Sequence, residues 1–170
     1  MTSGDPTAPK YALVTDDADA FAGALAPDAP ICGLDLGTKT IGVSVSDRRR
    51  MVASPLETIR RKKFTADVEA LFALTASREI GGFVLGLPRN MDGSEGPRCQ
   101  STRAFAKNLS RLTPLPVFFW DERLSTVAVE RTLLEADQSR KRRAEVVDKM
   151  AAAFILQGAL DRLGHIGATR

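Results

Sequence analysis

One histidine, His165, stands in the whole chain, and it lies in the final tail. That scarcity argues against a His-based general base, a Ser-His-Asp hydrolase and a zinc centre. Cysteine is almost as rare. Cys32 and Cys99 form no close-spaced pair, so in a reducing compartment they read as free thiols. Cys32 falls in an apolar strand and belongs to the core. Cys99 falls in a polar helix start, where partial exposure is expected. Neither has a histidine in the body of the chain to activate it, which argues against thiol catalysis. No apolar run approaches the about 20 residues that span a bilayer. The start Met1-Thr-Ser-Gly-Asp5 has no basic segment leading into an apolar one, so no secretory signal is read and a cytoplasmic location is the default.

What is present describes an ordinary globular chain. Its 170 residues suit one domain, and 44% apolar with 26% charged residues is a normal balance. The net charge of +3 and pI near 9.1 say little by themselves. The basic residues are clustered, however, in Arg48-Arg49-Arg50, Arg60-Arg61-Lys62-Lys63 and Arg140-Lys141-Arg142-Arg143. Any one group reads as a solvated surface. Three of them beside an acidic site favour a polyanionic partner such as nucleic acid.

Patterning predicts the elements. Residues 1–30 are rich in Asp, Ala, Pro and Thr and read as an N-terminal arm, loosely ordered or docked, with a short helix carrying Phe21 and Leu25. Ile31 to Leu36, Ile41 to Ser46 and Met51 to Thr58 are strands separated by short turns, so they form an antiparallel meander. Pro55 assigns the third to an edge. Val68, Leu71, Phe72 and Thr75 recur at helical spacing. Gly82 to Leu87 is a fourth strand. A helix from about Arg98 to Arg111 follows, with Leu112 on its apolar stripe, and Val117 to Trp120 is the fifth strand. Ser125 can cap a helix to about Ala136, and a last helix runs from about Ala144 to Leu163. The order predicts an α/β domain with a five-stranded mixed sheet and helices on both faces. Ligands on such sheets bind beyond the carboxyl ends of the strands.

The acids fall at those ends. Asp35 lies inside the apolar run Ile31-Cys-Gly-Leu-Asp35-Leu, where a carboxylate is costly unless something pairs with it. Asp121 and Glu122 follow the apolar Val117-Phe-Phe-Trp120. Asp148 opens the line Asp148, Ala152, Ile155, Ala159 on the last helix, beside small residues that permit close approach to the sheet. Asp148 alone reads as a first-turn acid favoured by the helix dipole. Three separated carboxylate sites without His or Cys point together to a hard cation, Mg²⁺ or Mn²⁺, held by oxygen. Such ions activate water and stabilise the attacking and leaving oxygens on a phosphodiester. The long polar loop Gly86-Leu-Pro-Arg89-Asn90-Met-Asp92-Gly93-Ser94-Glu95-Gly96-Pro97 offers Arg89, Asn90 and Ser94 to a phosphate or base, or is simply a solvated Gly/Pro turn. Amides at the following helix start form an anion site. Arg123 either contacts the scissile phosphate or pairs with a neighbouring acid.

Four segments carry a resemblance. They are Gly33-Leu-Asp35-Leu-Gly-Thr-Lys39-Thr-Ile-Gly42-Val-Ser-Val-Ser-Asp47, Gly86 to Pro97, Asp121-Glu-Arg-Leu-Ser-Thr126 and Val147-Asp-Lys-Met-Ala-Ala152. In this order they resemble the four motifs of the bacterial YqgF/RuvX family, across about residues 31–163. The resemblance implies an RNase H-like fold related to the RuvC resolvases, and a nuclease maturing the 5′ end of pre-16S ribosomal RNA. It implies Asp35, Glu122 and Asp148 as catalytic, metal-binding acids, with Asp121 the other candidate of its pair. It makes residues 31–163 the nuclease domain and 164–170 a tail. Expected nucleic-acid contacts are Lys39, Arg89, Asn90, Ser94, Arg123 and Arg140 to Arg143. Arg89 departs from the pattern, which has an apolar or neutral residue there, and the arm has no counterpart in the family core.

Three other readings compete. A Holliday-junction resolvase uses the same chemistry on branched DNA but needs two sites in a dimer; the sequence leaves monomer and homodimer open. The segment Asp35-Leu-Gly-Thr38 before a hairpin also opens the ATP-binding fold of sugar kinases and actin-like proteins, which needs two domains and is too large for this chain. A noncatalytic RNA-binding assembly factor would not need all three acids.

Overall fold

The computed structural model describes residues 11–124 and 140–168, with side chains for 11–124 and 146–167. The five expected strands are β2 (Ile31–Leu36), β3 (Thr40–Ser46), β4 (Ala53–Arg60), β5 (Gly82–Leu87) and β6 (Val117–Asp121). A sixth, β1 (Val14–Thr15), comes from the segment read as an arm and pairs parallel with β6. The sheet order is β1-β6-β5-β2-β3-β4. β2, β3 and β4 are antiparallel, whereas β5 lies parallel to both β2 and β6. A meander followed by parallel strands, with the first strand of the meander central, is the RNase H-like arrangement. Pro55 lies on edge strand β4, where its missing N–H is tolerated.

Strand alternation sorts side chains onto two faces. Cys32, Leu34, Val43, Leu85 and Phe119 pack against α2 (Phe64–Thr75) and α3 (Pro97–Leu109). Ile31, Val84, Phe118 and Trp120 pack against α1 (Ala18–Ala24) and α4 (Arg140–Ala168). Asp17 caps α1 through the amide of Asp19, and Phe21 stacks on Phe118 with centroids 5.2 Å apart. Residues 11–30 are therefore packed onto the domain.

Several sequence expectations change in detail. α3 opens on Pro97, whose fixed φ suits the first helical position. It ends at Leu109, and Leu112, beyond it, is 55% exposed and off the buried stripe. Cys99 is fully buried, contrary to its polar sequence context, because α3 turns that face to the sheet. Burial pushes the Cys32 thiol up to about 12, consistent with a core role. α4 begins and ends several residues beyond the expected Ala144 and Leu163, so residues 164–168 continue the helix. The helix expected from Ser125 to Ala136 lies outside the described residues. No helix among the described residues is long and apolar enough to cross a membrane.

Candidate active site at the carboxyl ends of the central strands

Asp35 is the fifth residue of central strand β2 and is only 5% exposed. It alternates with Ile31 and Gly33, which face α4, so its side chain points to that face. Its antiparallel partner on β3 is Gly42. On the other side, Leu34 pairs with Leu85, which sets Gly86 of β5 level with Asp35. Glycine thus flanks the buried carboxylate on both neighbouring strands.

Both glycines clear space for the other acids. A Cβ on Gly42 would collide with the backbone carbonyl of Asp148, so α4 crosses β3 in backbone contact at this acid. A Cβ on Gly86 would stand 2.5 Å from Glu122 Oε1 and 2.5 Å from Ile155 Cδ1. Gly33 does the same one turn along α4, against Leu156 and the Ala152 carbonyl. Ser44 Oγ, also facing α4, donates to that carbonyl at 2.7 Å. The small residues Ala151 and Ala152, at most 1% exposed, make this approach possible from the helix side.

The pair Asp121-Glu122 is divided by strand parity. Asp121 alternates with Val117 and Phe119, which belong to the α2/α3 face. Its carboxylate is engaged by Arg123, with Nη2 at 2.7 Å from Oδ2 and the Arg123 amide at 3.0 Å from Oδ1. The Arg123 guanidinium holds the Asp121 carboxyl below the usual aspartate range. Glu122 instead opens a short 3-10 turn, Glu122–Leu124, and reaches over Gly86 on the α4 side. Asp148 Oδ2 accepts a 2.5 Å hydrogen bond from Thr40 Oγ1, across the turn that follows Asp35. In the sequence Thr40 falls in the short turn between the first two expected strands, and its place in the first motif, between Asp35 and Gly42, is the one signal of this role.

Asp35, Glu122 and Asp148 lie around one end of the sheet and offer oxygen only. That chemistry suits a hard divalent ion. In this conformation, among the described residues, no three His, Cys, Asp or Glu side chains stand close enough to hold one ion together. The Asp148 carboxylate is committed to Thr40.

The remaining expected residues separate into groups. Asn90 and Ser94 close the loop on itself: Asn90 Nδ2 donates to Ser94 Oγ at 3.0 Å, and Ser94 Oγ donates to Asp92 at 2.6 Å. The hydrogen bonds from the Ser94 hydroxyl and amide hold the Asp92 carboxyl below its usual range. Arg123 pairs with Asp121 and also reaches the Met91 carbonyl. Lys39 is exposed on the β2–β3 turn. Arg89 lies within 3.6 Å of both Asp16 and Glu95, while its Nε is buried without a hydrogen-bond partner. Arg103 joins the same acids and stacks over Phe119, 4.8 Å from its ring centroid. Asp16, from the N-terminal segment, thus pairs with both Arg89 and Arg103. Arg140 to Arg143 lie on the first turn of α4, and their side chains are outside the described set.

The family model described as RuvX, Holliday junction resolvase, matches residues 29–162. A protein of Ruegeria pomeroyi, named "Putative pre-16S rRNA nuclease", is 68% identical over 154 residues, 91% of this chain and 100% of that protein. One of Paracoccus denitrificans with the same name is 66% identical over 157 residues, 92% and 99% of the two chains. Among solved structures, Thermus thermophilus RuvC in complex with a Holliday junction substrate is 13% identical with a TM-score of 0.46, covering 80% of this chain and 96% of that one. A family match spanning all four motifs, with relatives two-thirds identical over nearly their full length, establishes that the chain belongs to the RuvX family.

Proposed function

We propose that this protein is a metal-dependent endonuclease that processes the 5′ end of pre-16S ribosomal RNA, with residues 31–163 as its nuclease domain. The observation that carries the reading is the glycine-flanked Asp35, with Glu122 over one glycine and the Asp148 backbone against the other. Glycine at both positions opens the space beside a buried carboxylate, which Glu122 shares with Ile155 on one side and the Asp148 backbone fills on the other. The names of the relatives support RNA as the substrate.

Asp35, Glu122 and Asp148 would hold Mg²⁺ or Mn²⁺. Bound there, the ion would polarise the scissile phosphate and lower the pKa of an attacking water. The chain's own contributions follow from its geometry. Asp35, held by the central strand at 5% exposure, would present a carboxylate in a fixed position. Thr40 orients Asp148. Arg123 keeps Asp121 occupied on the opposite face and so leaves Glu122 as the acid directed to the site.

The family description favours a second reading, cleavage of a four-way DNA junction. Junction resolution needs two sites at fixed spacing, hence a dimer. The test is incubation of the purified protein with a 5′-extended pre-16S fragment and with a four-way junction, in Mg²⁺, Mn²⁺ or EDTA, at a concentration where light scattering shows a monomer. Metal-dependent cutting of the RNA with weak or absent paired nicks is expected. Symmetric junction cleavage with intact RNA would overturn the RNA reading.

A further inference from the structure

Behind the β2–β3 turn, on the side of the sheet away from the acids, lies a cavity of about 520 Å³. Its walls include Thr38 of the turn, Arg61 and Lys62 beyond β4, and Arg98, Ser101 and Thr102 of α3. Leu36, the residue after Asp35, also lines it, so the cavity adjoins the candidate active site across the end of β2.

The charges in this cavity are unbalanced. Arg61 is anchored as a wall: Nη1 donates to the Gly37 carbonyl at 2.6 Å, and Nε lies 3.9 Å from the buried Asp67. Asp67 is otherwise occupied by the Lys62 amide at 2.9 Å. Lys62 and Arg98 have no side-chain ion pair among the described residues. The acids of the neighbouring loop are committed elsewhere, Glu95 to Arg103 and Arg89, and Asp92 to Ser94. α3 starts at this cavity without a side-chain cap, because its N-cap is Gly96. Its first-turn amides add partial positive charge to the same space. Three cations and three hydroxyl side chains line a chamber suited to an anion, with the one nearby carboxylate, Asp67, buried behind Arg61. Its volume lies within the range of small-molecule sites and exceeds what a bare inorganic ion needs.

We propose that this cavity is a phosphate subsite that takes one nucleotide of the nucleic-acid strand, gripped by Arg61, Lys62 and Arg98. The identity of the strand rests on the nuclease reading above; the anion chemistry does not. The phosphate comes either from within the strand or from its 5′ terminus. Held here, it sets the register of the strand that crosses the end of β2 towards Asp35.

Binding of fluorescent single-stranded RNA, with and without a 5′-phosphate, measured in EDTA across a salt series tests this without requiring cleavage. The variant is Lys62→Ala with Arg98→Ala, two exposed positions outside the acidic site. The control is Arg48→Ala, on a distant exposed ion pair with Glu79. The double variant should bind several-fold more weakly and lower the salt slope by about 1.4, the value for two lost contacts to a single strand. Loss for both RNAs assigns the subsite to an internal phosphate. Loss only for the phosphorylated RNA assigns it to the terminus. Wild-type affinity and slope in the double variant, or an equal loss in the control, would overturn the proposal. So would a wild-type protein that binds neither RNA. Failure of the nuclease reading shows separately, as absence of metal-dependent cutting by a protein whose binding still depends on Lys62 and Arg98.

Discussion

Glu122 Oε1 lies where the side chain of any residue larger than glycine at position 86 would begin, 2.5 Å from an ideal Cβ. Gly86→Ala should therefore displace the Glu122 carboxylate or push α4 outwards at Ile155. Overpacking of this kind costs about 1–3 kcal/mol. Chemical denaturation should show that loss, and RNA cleavage should fall far more than stability does. Normal cleavage in a folded Gly86→Ala protein would detach Glu122 from the site.

Asp35 and Asp148 should be replaceable by Asn without loss of fold, since the amide is nearly isosteric. A neutral amide is a poor ligand for a hard cation. Each variant should have no detectable metal-dependent cleavage. Circular dichroism would establish folding before the assay, and a wild-type rate in either variant would refute the assignment.

Thr40 Oγ1 donates to Asp148 at 2.5 Å, so Thr40→Val removes the hydrogen bond while keeping the shape. Outer partners of metal-binding groups are worth roughly 10- to 100-fold in metal affinity or activity. Thr40→Val should raise the Mg²⁺ or Mn²⁺ concentration needed for half-maximal rate by a factor in that range, and Thr40→Ser should restore it. An unchanged metal titration for Thr40→Val would limit the hydroxyl to a structural role.

Glu95 is held below its ordinary value of 4.5, chiefly by its hydrogen bond from Arg103. A depressed folded-state value means that the pair's stabilisation is fully present above the unfolded value and is lost as pH falls through the folded one. Glu95→Gln should therefore lower Tm near neutrality, and the gap to wild type should close on acidification below the ordinary glutamate range. Thermal melts of both proteins across pH measure it. A gap independent of pH would show that packing of the loop, rather than charge, accounts for the difference.

Much of this molecule follows from local pattern. The apolar runs at Ile31, Ile41, Gly82 and Val117 became strands because period-2 alternation and short turns leave few other options. Asp35 stood out because an ionisable group in an apolar run demands a reason. Short-range pattern did not reveal β1: two residues carry no periodicity, and only the exposed edge of β6 selects Val14 and Thr15 for pairing. Nor did composition reveal the burial of Cys99, which depends on the face α3 turns to the sheet.

The sequence by itself determined which residue types were available: carboxylates at strand ends, a single histidine confined to the last residues, and glycines at 42 and 86. Only the tertiary structure decided their partners. Strand parity turned Asp121 to Arg123 and left Glu122 over Gly86. The crossing of α4 set Asp148 against Gly42 and Thr40, more than a hundred residues away along the chain. Asp16 met Arg89 and Arg103 because β1 docks beside β6. Such pairings depend on which backbones approach closely enough for a side chain to reach across, and no single segment contains that information.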